Sequence, residues 1–328
     1  MTTLESTAIG EDEIAAFRAL HTRLGDAVET AVRGKRDVVD LVLVSMFAGG
    51  HVLLEDVPGT GKTTLARAVA GALGGVSRRV QFTPDLLPSD VTGTSVFDPQ
   101  TAEVRFRPGP VFANVVQADE INRAAAKTQS ALLEVMEEHT VTVDGVGHAV
   151  PAPFLVVATQ NPIDLDGTYR LPEAQLDRFM IRVSIGYPDV EHELDVLRPG
   201  SGAGRVGAVP TVSNPHEVAA YGRRLSLLHV ADPILRYIGE LGTATRADSR
   251  LRLGASTRGL RALVRCVQVH AAARGRHFAV PGDVQELAVA VLAHRLVLTR
   301  EAQLAGTTTA EVLADVLSGV DVPRPETR

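Results

Sequence analysis

Apolar and polar positions along this chain switch repeatedly between a helical and a strand period. From Ile14 to Val32 apolar residues recur at three- and four-residue spacing, which predicts an amphipathic helix. Val38 to Phe47 predicts a second helix, stopped by Gly49 and Gly50. His51 to Glu55 (HVLLE) is a short apolar run closed by proline and glycine, the pattern of a buried strand, and Thr63 to Leu73 returns to the Ala, Leu and Arg content of a helix. Further strands are predicted at Arg79 to Phe82, Asn114 to Ala118, Phe154 to Thr159 and Met180 to Ile185, with helices between most of them. Strands that alternate with helices imply an α/β fold: a parallel five-stranded sheet covered by helices on both faces.

Two alternating stretches do not fit that sheet. Glu103 to Phe106 and Thr140 to Val150 predict hairpins, the second turning at Asp144-Gly145. Glycine and proline then crowd Pro199 to Val212 (PGSGAGRVGAVPTV), which predicts a linker. Beyond it no further strand is predicted. Pro215 to Leu317 reads as helices, with starts at Asn214 or Ser213, at Asp232 before Pro233, and at Pro281-Gly282-Asp283. The expected organisation is an α/β core over residues 1–198, a linker over 199–213 and an all-helical domain over 214–328.

Composition narrows this picture. Aromatic residues are only 4% of the chain and tryptophan is absent, so the core must be built mostly from Val, Leu and Ala. The net charge of -6 lacks the basic footprint of a nucleic-acid binder. Positive charge is nearly all arginine; Lys35, Lys62 and Lys127 are the only lysines. A lysine kept inside a glycine-rich loop therefore stands out, because a compact ammonium fits where a guanidinium fork does not. The single cysteine, Cys266, excludes an intramolecular disulfide and fits a reducing compartment. Met1 to Glu13 has no apolar centre and does not read as a signal peptide. The most apolar stretch, Val38 to Leu54, is interrupted by Asp40, Gly49, Gly50 and His51, so no membrane span is expected. The expected location is cytoplasmic.

The chemistry begins at Pro58-Gly59-Thr60-Gly61-Lys62-Thr63-Thr64, between a predicted strand and a predicted helix. Glycines there let backbone N–H groups close on a phosphate, and the helix start adds partial positive charge. Lys62 is placed to reach the β- and γ-phosphates of ATP, and the Thr63 hydroxyl to bind Mg2+. The usual pattern opens with glycine; this chain has Asp56 there. A second feature is Val115 to Glu120, a strand ending in adjacent acids. Asp119 would hold Mg2+ through water and Glu120 would polarise the attacking water; by itself the pair also suits a helix cap. Gln117 interrupts the apolar run and requires hydrogen-bond partners if buried. Asn161, after another strand, could orient the water, or could simply form a turn before Pro162.

These residues arrive within longer blocks: HVLLEDVPGTGKTTLARAVA (51–70), VQFTPDLLPSDVTGT (80–94), ADEINRAAAKTQSALLEVMEEHTVTVDG (118–145), ATQNPIDLDGTYRLPEAQLDRF (158–179), GASTRG (254–259) and PGDV (281–284). In these blocks, over most of residues 30–300, the chain resembles the MoxR family of AAA+ ATPases. The resemblance implies that Asn161 is sensor 1, that Arg178 is an arginine finger reaching a neighbouring subunit's nucleotide, and that Arg258 is sensor 2 on a helical lid that binds the nucleotide. It places the adenine near Val32-Arg33-Gly34-Lys35, with Gly34 among the binding residues. Phe97 to Phe112 would be the insert in helix 2 and Thr140 to Val150 the hairpin before sensor 1, facing a ring pore or a partner; the alternative is that both extend the sheet edge. Arg170 stands where the family commonly has proline. The family acts as a hexamer that remodels or matures protein clients, with a von Willebrand factor A domain protein as partner.

Other readings stay open at this point: a DNA-remodelling motor, a nucleotide-binding assembly subunit without turnover, and a P-loop kinase. Glu120 and Arg178 argue against the second. Cys266 and His270, one helical turn apart, form a possible metal pair against the reading of a core thiol and a surface histidine. Glu137-Glu138-His139 reads as a solvated helix end.

Overall fold

The computed structural model describes residues 9–56, 60–160, 171–187 and 209–323. Pro58, Gly59, Asn161, Arg170 and most of the predicted linker, residues 199–208, lie outside them.

The five predicted strands form one sheet. They are β1 (Val52–Glu55), β2 (Ser77–Gln81), β5 (Val115–Asp119), β8 (Leu155–Gln160) and β9 (Ile181–Val183). Their order is β2-β5-β8-β1-β9 and every pairing is parallel. The apolar runs have no polar face because both sides of the sheet are covered. Along β1, Val52 and Leu54 enter one core and Leu53 the other. The first core also contains α1 (Glu11–Glu29), α2 (Arg36–Phe47), α3 (Lys62–Ala72) and the C-terminal helices. The second lies under α4 (Pro88–Thr92) and α5 (Ala126–Glu138).

Both predicted hairpins form and stay out of the main sheet. β3 (Gly93–Asp98) pairs with β4 (Glu103–Pro108), and β6 (Thr140–Val143) with β7 (Val146–Ala149), each as its own two-stranded ribbon. They therefore do not extend the sheet edge. They lean on one another: Ser95 Oγ donates to Asp144 Oδ2, and Phe106 stacks on His148 with ring centres 4.0 Å apart.

The C-terminal part contains α7 (Pro215–Leu225), α8 (Asp232–Ala247), α9 (Thr257–Ala273), α10 (Pro281–Leu292), α11 (Arg300–Leu304) and α12 (Thr309–Gly319). Among the described residues it is mainly helical, with a short antiparallel pair, β10 (Leu251–Leu253) with β11 (Val297–Leu298), and a lone bridge between His229 and Phe278, which the sequence pattern did not announce. Asn214 caps α7 as expected, its Oδ1 accepting from Glu217 N at 2.9 Å. Asp232 does not cap α8; Ala231 occupies that position. Among the described residues no helix is long and apolar enough to cross a membrane.

Candidate active site

In an open parallel sheet, ligands bind beyond the carboxyl ends of the strands. Gly61 lies past the end of β1 in the left-handed region at φ 89, a conformation glycine adopts without a Cβ clash. Lys62 opens α3 behind Gly61, an N-cap residue with no side chain to offer the helix start. The N–H groups and the dipole of a helix start suit an anion. Lys62 Nζ folds back to donate to the Asp56 carbonyl at 2.6 Å. Burial lowers its pKa, opposed by the charges of Asp56, Asp119 and Glu120.

Beside it, β5 presents alternate residues to α3. Val115 is buried on that side, and a period of two puts Gln117 and Asp119 there too. Gln117 is buried, and its Nε2 donates to Thr63 Oγ1 at 2.8 Å and to Asp119 Oδ1 at 2.7 Å. One amide thus joins the hydroxyl and the carboxylate expected to hold Mg2+. Gln117 Oε1 is buried at the same spot with no hydrogen-bond partner among the described residues. Hard oxygen donors converging on one point, with an orphaned oxygen nearby, fit a small divalent cation. Asp119 Oδ2 accepts from Arg79 Nε at 2.6 Å, so a half-exposed guanidinium already faces this carboxylate.

Glu120 follows in the left-handed region at φ 53, a conformation that costs energy for a residue with a side chain. Its N–H donates to Thr159 Oγ1 at 2.9 Å, which ties the turn to β8. The carboxylate accepts from Gln81 Nε2 at 3.0 Å and from Arg123 at 2.8 Å. Both acids therefore sit at the same end of the sheet as Lys62 and Thr63.

Asp56 proves to be a clamp. Its buried carboxylate accepts from Ser184 Oγ at 2.7 Å, from Ile185 N and from Gly186 N at 3.2 Å. These three residues leave the carboxyl end of β9. Next to them, Tyr187 O accepts from Lys35 Nζ at 2.9 Å. Gly34, at φ 68, and its loop are thereby brought to the same end of the sheet as Thr60 to Thr64.

Arg178 and Arg258 go elsewhere. They line one cleft with Gly49, Gly50, His51, Met136, Glu137 and Arg295, at the amino end of β1. From His51 to Asp56 the strand rises roughly 16 Å, so this cleft is far from the chain's own phosphate loop. Arg178 pairs with Glu137 at 3.4 Å and Arg258 pairs with the same carboxylate. Two expectations change here. Arg258 is not brought to this chain's own nucleotide loop, and Glu137 is not merely a solvated helix end. His270 is also not a free surface histidine: its Nδ1 bonds Asp283 Oδ1 at 2.8 Å, while Cys266 is a fully buried core thiol with its pKa pushed up to about 12 by burial. Among the described residues no group of His, Cys, Asp and Glu forms a metal cluster.

A family model described as ATPase family associated with various cellular activities (AAA) matches residues 51–181, and an AAA lid domain model matches residues 243–316. YeaC of Bacillus subtilis is 46% identical over 93% of this chain and 96% of that protein. Chaperone MoxR1 of Mycobacterium tuberculosis is 39% identical over 90% of this chain and 81% of its own length. The chain belongs to the MoxR family of AAA+ ATPases. A crystal structure from Cytophaga hutchinsonii, of a protein assigned as an ATPase, superposes with a TM-score of 0.89 at 36% identity, covering 96% of this chain and 98% of the other.

Family membership implies nucleotide binding and, usually, Mg2+. Sequence reading missed the residues that contact Thr63, Asp119 and Glu120. Gln117 was visible as a polar break in a buried strand, without its partners. Arg79 and Gln81 on β2 and Arg123 in the turn after β5 carried no signal, since an exposed arginine or glutamine usually marks solvent.

Proposed function

We propose that this MoxR-family chain binds ATP with Mg2+ at the carboxyl end of its sheet and hydrolyses it at a site completed by a second copy. The observation that carries the reading is the Thr63–Gln117–Asp119 cluster beside Lys62 at the start of α3. Backbone N–H groups around Pro58, Gly59, Thr60, Gly61 and Thr64 hold the phosphates, and Gly34 borders the base. Lys62 meets the β- and γ-phosphates. Thr63 and Asp119 would hold Mg2+, which would supply positive charge against that developing on the phosphates. Glu120 takes the proton of the attacking water, and Asn161 orients that water.

Arg178 and Arg258 lie together at the opposite end of β1 from the loop, which supports their acting on a neighbouring copy's γ-phosphate. An arginine supplied in trans contributes on the order of 10³–10⁵ in rate in related NTPases. A head-to-tail contact of this kind forms a ring when its rotation closes; the family likeness points to a hexamer. It also points to a cytoplasmic, chaperone-like role on protein clients with a von Willebrand factor A domain partner. The proposed division of the chain is a core over 1–198, a linker over 199–213 and a lid over 214–328.

Glu120→Gln tests the reading directly. It should bind ATP with unchanged affinity and lose turnover; normal turnover would remove Glu120 as the base. The ATP-locked variant should also retain protein partners in a pull-down.

A further inference from the structure

We propose that Arg295, assisted by His294 and Ser256, is a positioning residue for Arg178, so that the lid sets how that arginine is presented to a neighbouring copy. The inference rests on the reading above that Arg178 acts in trans.

Arg178 lies in the short turn between α6 (Glu173–Leu176) and β9. Its own turn supplies only backbone bonds: Asp177 N donates to Glu173 O at 3.0 Å, Arg178 N to Gln175 O at 3.2 Å and Phe179 N to Leu176 O at 3.1 Å. Charged contacts come from the lid. Arg295, in the 3-10 turn that follows α10, donates from one terminal nitrogen to Asp177 O at 2.7 Å and to Asp177 Oδ1 at 2.6 Å. Its other terminal nitrogen donates to Phe179 O at 2.7 Å. Its Nε donates to Val291 O at 2.9 Å, which fixes the guanidinium to its own helix. His294 Nε2 adds a bond to Phe179 O at 2.9 Å. Ser256 Oγ meets the Asp177 carboxylate at 3.1 Å, just ahead of Arg258 on α9.

One planar, rigid fork thus grips the residues on both sides of Arg178 and leaves the Arg178 side chain itself untouched. The Arg295 side chain is only 2% exposed. Burying a guanidinium is costly, and an apolar side chain of similar volume often gives equal stability. Lid-to-core adhesion therefore does not require an arginine here. What an arginine supplies, and a leucine does not, is a fixed orientation of two carbonyls that flank a functional side chain. A small misplacement of a catalytic group costs about 10²-fold in rate.

The test uses the full-length chain in mixed assemblies. Arg295→Met alone should lower kcat by about 10²-fold with the ATP KM within about twofold of normal. Arg295→Lys, which reaches fewer of the acceptors, should recover part of kcat. Each variant is then mixed with Lys62→Ala chains, which lack a working phosphate loop but supply an intact Arg178. The interface pairing an Arg295→Met loop with a Lys62→Ala arginine is complete, so turnover should return, as it should for Arg178→Ala in the same mixture. Restoration of Arg178→Ala but not of Arg295→Met would overturn the positioning role. Failure to restore Arg178→Ala would overturn the trans reading, and this inference with it. Should Arg295→Met not fold, Asp177→Asn and Ser256→Ala loosen the same grip from the other partners and enter the same mixtures with the same criteria.

Discussion

Restoring the customary first glycine of the phosphate loop, Asp56→Gly, should damage this protein. The Asp56 carboxylate accepts hydrogen bonds from Ser184 Oγ, Ile185 N and Gly186 N. Ser184 is exposed and Gly186 half-buried, so both can turn to water at small cost. Ile185 is 3% exposed, and its N–H would be left without an acceptor, which costs about 1–3 kcal/mol. The new glycine adds backbone freedom to the unfolded chain, roughly another 0.5–1 kcal/mol. The expected loss is therefore about 3 kcal/mol. Asp56→Asn keeps one acceptor oxygen and should lose about half as much. Urea denaturation at pH 7 measures both, and binding of a fluorescent ATP analogue reports the site. Affinity should fall in step, because residues 184–187 carry the contact to Lys35 beside Gly34. A glycine variant within about 0.5 kcal/mol of the parent would refute the clamp.

Further expectations rest on other contacts. Glu137→Gln removes the carboxylate shared by Arg178 and Arg258; stability should move by less than about 1 kcal/mol, since these side chains are about a third exposed or more, while trans-dependent turnover rises or holds in a mixed-subunit assay. Arg79→Gln frees Asp119 from its ion pair and should lower the Mg2+ needed for half-maximal ATP binding roughly two- to fivefold in a titration. His51 is buried and held neutral with its pKa down to about 4, because burial disfavours the imidazolium. The unfolded chain binds the extra proton first, so its contribution is intact above pH ~6.5 and is lost as pH falls through about 4, up to about 3 kcal/mol in all. His51→Gln should show a shallower fall in unfolding free energy over that pH window.

The order of elements was legible in the sequence because period and turn chemistry are local. Apolar runs such as His51 to Glu55 and Phe154 to Thr159 predicted strands buried on both faces, and each of the five joined the sheet. The Asp144-Gly145 turn fixed the second hairpin. Lys62, Thr63, Asp119 and Glu120 were legible as a set because each follows a predicted strand, and strands of a parallel sheet end together. Pattern alone did not find β10 and β11, which have three and two residues and pair only because the helices bring them together.

The sequence by itself determined which residues gather at the carboxyl end of a parallel sheet. Only the tertiary structure decided their partners. Asp56 bonds residues 128 to 130 positions away, Arg79 meets Asp119 across a strand pairing, and Arg295 reaches Asp177 across 118 positions. Arg258 joins Arg178 over Glu137 rather than its own phosphate loop because α9 packs at the amino end of β1. The physical reason is common to all of these: periodicity records which face of an element is buried. It carries nothing about which distant charge or amide fills the remaining hydrogen-bond positions once the elements have docked.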